Sequence, residues 1–368
     1  EFSFMKINEI TKVLQAWAPL TYAEDFDNVG LLVGDNLAEC SKALITIDTT
    51  EAVVDEAIRE RCELIISFHP IIFSGLKKLT GKTYVGRTVL KAIKNNIAIY
   101  AIHTALDNHK HGVSFQMGLE LGLKNQKVLM PKNDTLLKLN AYVPHNYVSK
   151  VIESLHNAGA GTISNYDAFS YSEAERVRFI ENEESKIADG AKEIPTEAKE
   201  QQLNLIFQKH QEAAIINALN DVHPYKDVAY EINNINNSNQ DVGMGSFGEL
   251  EHEMMEIEFL DYVKKNLNCS NIRHSRFNGN KIHKVAILGG SGSFAIAAAK
   301  NQGADAFITA DLKYHNFFES ENKILLADVG HYESEQFTNK LIASYLTKKM
   351  PNFACILSQE KTNPVNYF

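Results

Sequence analysis

The sequence is poor in cysteine, and its cysteines are not grouped. Among 368 residues there are four, Cys40, Cys62, Cys269 and Cys355, and none of them lies in a C-x-x-C pair. This spacing supports neither a zinc knuckle nor a disulfide framework. We therefore expect a cytoplasmic protein whose thiols stay reduced.

Long apolar runs and an excess of positive charge are also missing. No run approaches the ~20 apolar residues that a membrane-spanning helix needs, so we expect no membrane association. The formal net charge of −9 argues against a broad phosphate-binding face but leaves association with nucleic acid open. The four residues before Met5 have no signal-peptide layout, and we expect them to be a remnant of cloning.

The bulk composition is typical of a soluble globular protein. Hydrophobic residues make up 44% of the chain and charged residues 23%, which excludes a disordered protein. The length exceeds what a single core usually supports, so we expect about two or three domains.

The first part of the chain alternates strand and helix patterns. The strand patterns are KALITIDTT (42–50), ELIISFHPIIF (63–73) and IAIYAIHTALD (97–107), and the helix patterns between them are EAVVDEAIRERC (51–62) and VGRTVLKAIKNN (85–96). Strands that are apolar along their whole length are usually buried on both faces. The alternation therefore predicts a parallel sheet covered by helices.

The last part of the chain repeats this alternation. Its strand patterns are KVAILGG (284–290), ADAFITAD (304–311) and NKILLADVG (322–330), and its helix patterns are SFAIAAAKNQG (293–303) and a long helix over 331–350. We also considered GGSGSF (289–294) as a phosphate-binding turn. It lacks the Walker lysine and departs from G-x-G-x-x-G, so we favour a tight turn between strand and helix.

The middle of the chain has a different texture. It contains a charged stretch that we predict to be helical (181–202), Asn-rich loops, and helix and strand patterns of a small α+β unit. The fold class we predict is α/β: a split domain with a parallel or mixed sheet and two α/β halves, plus an inserted small α+β module. The predicted bounds are 5–130 for the first half, 131–248 for the module and 249–368 for the second half.

Several of the predicted strands end in side chains that can bind a metal. These are His69, then His103 and Asp107, then Asp311 followed by His315, and finally His331 with Glu335. Functional groups of open α/β sheets collect beyond the carboxyl ends of strands. His331 and Glu335 are four residues apart at the start of a helix, so both side chains leave the same face. An imidazole and a carboxylate so spaced suit one divalent cation.

Each of these residues, taken alone, also has a purely structural interpretation. A lone histidine such as His69 is more often a satisfied core or surface residue than a ligand. The pair His331 and Glu335 could serve capping and helix-dipole interactions, and Asp107 could be a turn residue before Gly112. The repetition of polar residues at otherwise apolar strand ends favours a shared site.

Six stretches together resemble the Nif three-like family of dinuclear-metal-centre ring proteins, also named GTP cyclohydrolase type-two homologues. The stretches are AEDFDNVGLLVGD (23–35), HPIIF (69–73), AIHTALDN (101–108), VAILGGSGS (285–293), GADAFITADLKYH (303–315) and ADVGHYESE (327–335). The middle of the chain resembles a module that some members carry, itself similar to trimeric signalling-type α+β domains. The resemblance thus covers both halves and the insert.

This resemblance implies a metal centre and an assembly. The implied ligands are His69, Asp107, His331 and Glu335, with the Glu335 carboxylate bridging two metals. One or two divalent ions per chain are implied, and zinc, iron, manganese or nickel would suit the ligands. The family has a further histidine where this chain has Phe68, and phenylalanine cannot bind a metal. The implied assembly is a homohexamer, a toroid of two trimers stacked through the inserted modules.

Two functions are the main candidates, and a nucleic-acid-associated ring protein is a third that the acidic net charge counts against. The first is a metal-dependent hydrolase, GTP cyclohydrolase-like, in which the metal activates water and the substrate is a nucleotide. In this hypothesis His103 or His315 moves the proton and Asp311 orients a ligand histidine. The second is a non-catalytic metal-binding or regulatory ring protein that stores or delivers metal, or acts as a scaffold. The sequence has neither a Walker lysine nor a strong base-stacking pattern, so it does not identify a nucleotide.

Overall fold

The computed structural model describes residues 4–161, 170–180 and 195–368. In chain order its strands are β1 (Met5–Lys6), β2 (Gly30–Val33), β3 (Glu39–Cys40), β4 (Lys42–Thr46), β5 (Leu64–Ser67), β6 (Ala98–Ala101), β7 (Lys124–Lys132), β8 (Leu136–Pro144), β9 (Tyr171–Ile180), β10 (Pro195–Gln208), β11 (Tyr230–Asn234), β12 (Asn239–Met255), β13 (Arg273–His274), β14 (Lys281–Ser291), β15 (Ala306–Ala310), β16 (Leu325–Asp328) and β17 (Ala354–Leu357).

The α-helices, again in chain order, are α1 (Ile7–Trp17), α2 (Glu51–Arg59), α3 (Tyr84–Lys94), α4 (His103–Asp107), α5 (Val113–Glu120), α6 (Val148–Asn157), α7 (Glu212–Val222), α8 (Glu256–Asn266), α9 (Ile296–Asn301), α10 (His331–Glu335) and α11 (Thr338–Lys349). The chain divides into two compact units. One consists of Glu1–Pro131 with Asp241–Phe368, and the other of Lys132–Gln240. We call them the split unit and the middle unit.

The first sheet of the split unit has the strand order β17-β4-β5-β6-β2. Its first four strands are parallel, and β2 joins the edge antiparallel to β6. Alternate residues of β4 face opposite cores, because Leu44 packs with α2 and α3 while Ile45 packs with α1 and α11. Burial on both faces explains why these strands are apolar throughout.

The second sheet of the split unit has the order β13-β16-β15-β14-β12-β7. Strands β14, β15 and β16 are parallel, whereas β12 and β13 pair antiparallel with their neighbours. One face packs against α8 and the other against α9. Both sheets therefore carry parallel strands whose carboxyl ends can present functional side chains.

The middle unit contains an antiparallel sheet of order β11-β8-β10-β9 with helices α6 and α7. Burial alternates along β8, as expected for a sheet with one face on a core. Leu139, Leu205 and Phe207 from the strands pack with Leu155 of α6 and Leu219 of α7.

The predicted fold class is confirmed: the structure is a mixed α/β protein with parallel and antiparallel sheets. The predicted helix over 181–202 is wrong for 195–202, which belong to β10, while 181–194 lie outside the described residues. Pairing with β8 and β9 on both sides overrides the helix preference of its Glu- and Lys-rich composition.

The bounds of three elements that carry candidate site residues also differ from the prediction. The strand predicted over 63–73 ends at Ser67, just before a segment with Pro70, which cannot donate to a sheet. The strand predicted over 97–107 ends at Ala101, and α4 carries His103 and Asp107. A short apolar run does not distinguish strand from helix by periodicity.

The long helix predicted over 331–350 is also divided, into α10 and α11. The Ser334 hydroxyl donates to the carbonyl of His331 at 2.7 Å, and the side-chain amide of Gln336 donates to the carbonyl of Glu333. Side-chain bonds of this kind compete with the helical backbone ladder.

Candidate metal centre

Two histidines and one glutamate of the split unit meet beyond the ends of its parallel strands. His69 follows β5, whereas His331 and Glu335 begin and end α10, which follows β16. Gly330 turns the chain between β16 and α10 at φ +95°, a conformation that favours glycine. The short helix then places both of its functional side chains on one face.

The carboxylate of Glu335 lies between the two imidazoles. Its Oε2 is 3.1 Å from Nε2 of His69 and 3.3 Å from Nε2 of His331. The ligand atoms of all three residues lie within 4.8 Å of one another. Only 4% of the Glu335 side chain is exposed, so the carboxylate has little access to water.

The opposite nitrogen of each imidazole is bound to an aspartate. Nδ1 of His69 lies 2.8 Å from Asp48, and Nδ1 of His331 lies 2.7 Å from Asp311. An ionised carboxylate only accepts hydrogen bonds, so each Nδ1 carries the hydrogen. A neutral imidazole held this way directs the lone pair of Nε2 at Glu335.

Without a cation, the protonated imidazoles of His69 and His331 hydrogen-bond to the carboxylate of Glu335. Burial opposes the charged form of both histidines, but hydrogen bonds to Asp48 and Glu335 outweigh it and raise the pKa of His69 to about 9. Hydrogen bonds to Asp311 and Glu335 likewise outweigh burial and raise the pKa of His331 to about 11. Burial would raise the pKa of Glu335, yet the two histidines lower it to about 2.

The donor set fits a divalent cation. When both imidazoles are neutral with their hydrogens on Nδ1, the buried Oε2 of Glu335 has no hydrogen-bond donor among the described residues. Gly290 leaves space for the other carboxylate oxygen, since a Cβ atom there would lie 2.4 Å from Oε1. Two imidazole nitrogens and a carboxylate are ligands that zinc and other first-row metals accept.

The fourth predicted ligand, Asp107, is not part of this three-residue group. It lies on α4 and lines a cavity of about 420 Å³ that Glu335 and His331 also line. Burial raises the pKa of Asp107 well above its usual value, and the negative charge of Glu335 raises it further. Two carboxylates in one cavity repel each other unless a cation lies nearby.

His103, predicted to move a proton, lines the same cavity. Its Nδ1 lies 2.8 Å from Asp27, whose other oxygen accepts from the backbone N–H of Thr104 at 3.1 Å. The backbone of His103 is left-handed at φ +22°, which is strained for a residue with a side chain. A third histidine is thus held by an aspartate beside the first two.

Of the other two residues predicted to act in catalysis, Asp311 contacts the centre and His315 lines neither of its cavities. Asp311 contacts His331 and accepts from the Ser291 hydroxyl, and the hydrogen bond from His331 lowers the pKa of Asp311 to about 2. His315 is exposed and packs against Tyr314 and Phe318. It lines neither the cavity described above nor the one on the Asp48 side of the histidines.

Phe68, where the family resemblance implies a histidine, is fully buried. It belongs to the core on the α1 and α11 side of the first sheet, and its ring centroid is 5.5 Å from that of His103. The ring therefore fills space beside the centre without offering a ligand.

Sequence reasoning missed the aspartates that bind His69 and His103. Asp48 follows β4, so the strand-end rule that identified the histidines could also have found it. Asp27 lies in a loop whose sequence alone does not indicate a contact with α4. The role of Gly290 depends on the Glu335 carboxylate and could not be predicted from its own neighbours.

The sequence predicts no membrane-spanning helix. Within residues 4–161, 170–180 and 195–368, no helix has both the length and the apolar character needed to cross a bilayer.

Known proteins with related sequences span the whole chain. A Bacillus subtilis protein named "GTP cyclohydrolase 1 type 2 homolog" is 35% identical over 371 residues, which cover 98% of each chain. A Staphylococcus epidermidis protein of the same name is 30% identical and covers 99% of this chain and 100% of its own.

Solved structures also match nearly the whole chain. A Bacillus cereus protein related to NIF3 superposes with a TM-score of 0.87 at 31% identity, with 99% of each chain covered. A Staphylococcus aureus protein superposes with a TM-score of 0.77 at 27% identity, again over 99% of each chain. Residues 5–364 match the Duf34/NIF3 family, so this chain belongs to the Duf34/NIF3 (NGG1p interacting factor 3) family.

Proposed function

We propose that this protein binds a divalent metal ion through His69, His331 and Glu335 and uses it in a hydrolytic reaction. One observation carries the proposal: the buried Oε2 of Glu335 faces two Nε2 atoms whose imidazoles are fixed by aspartates. A divalent cation in such a site lowers the pKa of water and acts as a Lewis acid. Asp107, in the wall of the adjoining cavity, would supply a carboxylate to a second ion.

Other residues of the site would orient the ligands and transfer protons. Asp48 and Asp311 hold the two ligand histidines in one tautomer and one orientation. His103 reaches the cavity with its Nδ1 bound to Asp27, so its Nε2 is the atom that would accept or donate a proton. The cavity of about 420 Å³ is large enough for a small-molecule substrate.

The name of the Bacillus subtilis and Staphylococcus epidermidis relatives, GTP cyclohydrolase 1 type 2 homolog, makes GTP the first substrate to assay. The experiment measures metal content per chain by elemental analysis and GTP hydrolysis for the unaltered protein, Glu335→Gln and His331→Ala. We expect both variants to lose metal and to lose hydrolysis with it. Glu333→Gln is the matched control, because Glu333 lies on the same helix and is 9% exposed, but the described residue that hydrogen-bonds its carboxylate is Asn363.

Two results would contradict parts of the proposal. Hydrolysis that survives in both variants would exclude catalysis at this centre. Metal content that is unchanged in both variants would exclude these residues as the ligands. A loss of metal with a loss of oligomer would instead favour a structural role for the ion.

A non-catalytic metal-binding or regulatory protein is the second candidate. The buried Phe68 favours it, because the resemblance implies a ligand histidine at that position, and its replacement would leave one of two metal positions with fewer protein donors. Metal that remains bound while GTP and related nucleotides are not hydrolysed would support this candidate.

The homohexamer implied by the family resemblance is also a proposal for this chain. Light scattering of the purified protein would test it, and a monomeric mass would exclude it. Repeating the measurement after chelation would show whether metal and assembly are linked.

A further inference from the structure

Three exposed phenylalanine rings of the split unit line the cavity beside the candidate metal centre. The exposed fractions are 65% for Phe26, 50% for Phe73 and 55% for Phe294. All three line the cavity that Glu335 and His331 also line. Exposed rings that gather at one cavity are typical of a ligand-binding surface.

The backbone that carries two of these rings is fixed by hydrogen bonds. The carboxylate of Asp27, next to Phe26, binds His103 and the backbone N–H of Thr104. The side-chain amide of Asn28 donates to the carbonyl of Ile72, which joins this loop to the segment of Phe73. The centroids of Phe26 and Phe73 are consequently 6.3 Å apart, with 43° between the rings.

The rings of His103 and Phe294 line the same cavity as those of Phe26 and Phe73. The imidazole of His103 stands nearly perpendicular to Phe73, with the centroids 6.4 Å apart. Phe294 comes from the short helical turn Ser293–Ala295 that follows β14. Three separate segments of the chain thus contribute rings to one cavity, which we call the aromatic wall (Phe26, Phe73 and Phe294).

The chemistry of the cavity limits what can fill it. The aromatic wall offers π-faces, whereas Asp107, His331 and Glu335 offer polar and charged groups. A bare phosphate would leave the rings in contact with water, and a purely aliphatic molecule would leave the polar groups unsatisfied. A planar heteroaromatic ring satisfies both, because it has π-faces for stacking and nitrogen or oxygen atoms at its edge.

We propose that the aromatic wall stacks the planar heteroaromatic ring of a small-molecule substrate and directs the edge of that ring toward Glu335 and His331. This inference rests on the proposed function only for what happens to the ring after binding. Stacking itself requires the rings and not the metal ligands.

Calorimetric titration of the full chain tests the proposal with probes that separate ring from phosphate. The probes are guanosine, cytidine and a pterin, each with a planar ring and no phosphate, and ribose 5-phosphate, which has no aromatic ring. We expect at least one planar probe to bind, and to bind more tightly than ribose 5-phosphate. Each of Phe26→Ala and Phe73→Ala should weaken that binding about five- to hundred-fold.

Conservative and matched variants control the result. Phe26→Trp keeps a large π-face and should retain binding. Phe318→Ala and Tyr314→Ala remove rings that are 65% and 73% exposed but do not line the cavity, so they should leave binding unchanged. Circular dichroism of every variant shows that the fold is intact.

Three outcomes would overturn the proposal. They are equal affinity for ribose 5-phosphate and the planar probes, no binding of any planar probe, or alanine variants that bind as tightly as the unaltered protein. Alanine variants that change only the mass in light scattering would show that the rings contact another copy of the chain instead.

Glu335→Gln separates this inference from the proposed function. If the metal proposal fails and the aromatic wall is correct, planar probes still bind and still depend on Phe26 and Phe73. If the wall is wrong and the metal proposal is correct, Glu335→Gln loses metal while the alanine variants bind the probes as before.

Discussion

The buried His223 of the middle unit and the half-buried His69 and His331 of the split unit have different hydrogen-bond partners. In the middle unit, His223 accepts from the backbone N–H of Tyr225 at Nδ1 and donates to the carbonyl of Tyr142 from Nε2. In the split unit, His69 and His331 bind aspartates at Nδ1 and leave Nε2 facing Glu335. Both ring nitrogens of His223 are satisfied inside the protein, which is typical of a structural residue. A neutral imidazole bound only at Nδ1 has the lone pair of its Nε2 available for a cation.

The cores around these histidines differ as well. The strands and helices of the middle unit bury hydrocarbon side chains such as Leu139, Leu205 and Leu219. Each unit also buries a carboxylate, but Glu200 of the middle unit accepts from the Tyr225 hydroxyl, whereas Glu335 of the split unit faces two imidazoles. The comparison predicts that substitutions in the middle unit change stability, whereas substitutions around Glu335 change metal binding.

The largest effect that we expect from this contrast is on stability. Leu205→Ala removes a side chain that is 1% exposed in the core of the middle unit. It should lower the free energy of unfolding by about 2–5 kcal/mol, through lost burial and the cavity left behind. Urea denaturation measures the change, and elemental analysis at low temperature should show unaltered metal content.

Lys199→Ala is the matched control, since Lys199 is an exposed residue of the same strand, β10. It should change stability by less than about 0.5 kcal/mol. A loss of metal in Leu205→Ala while the protein is still folded would contradict the prediction that substitutions in the middle unit change stability and not metal binding.

A smaller effect is expected where an aspartate orients a ligand. Asp311→Asn removes the negative charge that fixes the tautomer of His331, although it keeps the shape of the side chain. Metal affinity should fall about 10- to 100-fold, the usual effect of changing a residue that orients a ligand histidine. Competition with a chromophoric chelator measures the affinity.

Asp48→Asn should act in the same way on His69, and Asp55→Asn is the control. Asp55 pairs with Lys91 on the surface of α2 and α3 and does not contact the histidines. Equal affinities for all three variants would show that the aspartates do not tune the centre.

The sequence predicted those parts of the site that depend on local order. His69 and His331 follow strands, and the four-residue spacing of Glu335 fixes its direction relative to His331 on any helix. These rules need no knowledge of the fold. They failed for the element that carries His103 and Asp107, because the apolar run before them fits a strand and a short helix equally well.

The rest of the site depends on distances between remote segments. Phe26, Phe73 and Phe294 have no common spacing in the sequence, and the absence of a base-stacking pattern was therefore uninformative about the cavity they line. Asp27 contacts His103 from 76 residues away. Tertiary packing alone brings such residues together, so a single sequence gives no signal for them.

The smallest effect that we expect is an acid sensitivity of the middle unit. Burial lowers the pKa of His223 below its usual value, although the backbone hydrogen bonds with Tyr142 and Tyr225 and the nearby Glu200 carboxylate act in the opposite direction. Near pH 6.5 the unfolded chain therefore binds a proton at His223 that the folded chain does not bind. This contribution to stability is present above about pH 6.5 and is lost as the pH falls.

His223→Gln tests the assignment, because glutamine keeps a donor and an acceptor without titrating. The variant should be less stable than the unaltered protein at pH 7.5, and the difference should shrink as the pH falls from 7.5 to 5.5. Urea denaturation at both pH values measures it, with His252→Gln as the control, since His252 is exposed on β12. A difference that stays constant with pH would show that protonation of His223 is not coupled to folding. The contrast between a fully satisfied imidazole and the half-satisfied imidazoles beside Glu335 would then rest on geometry alone.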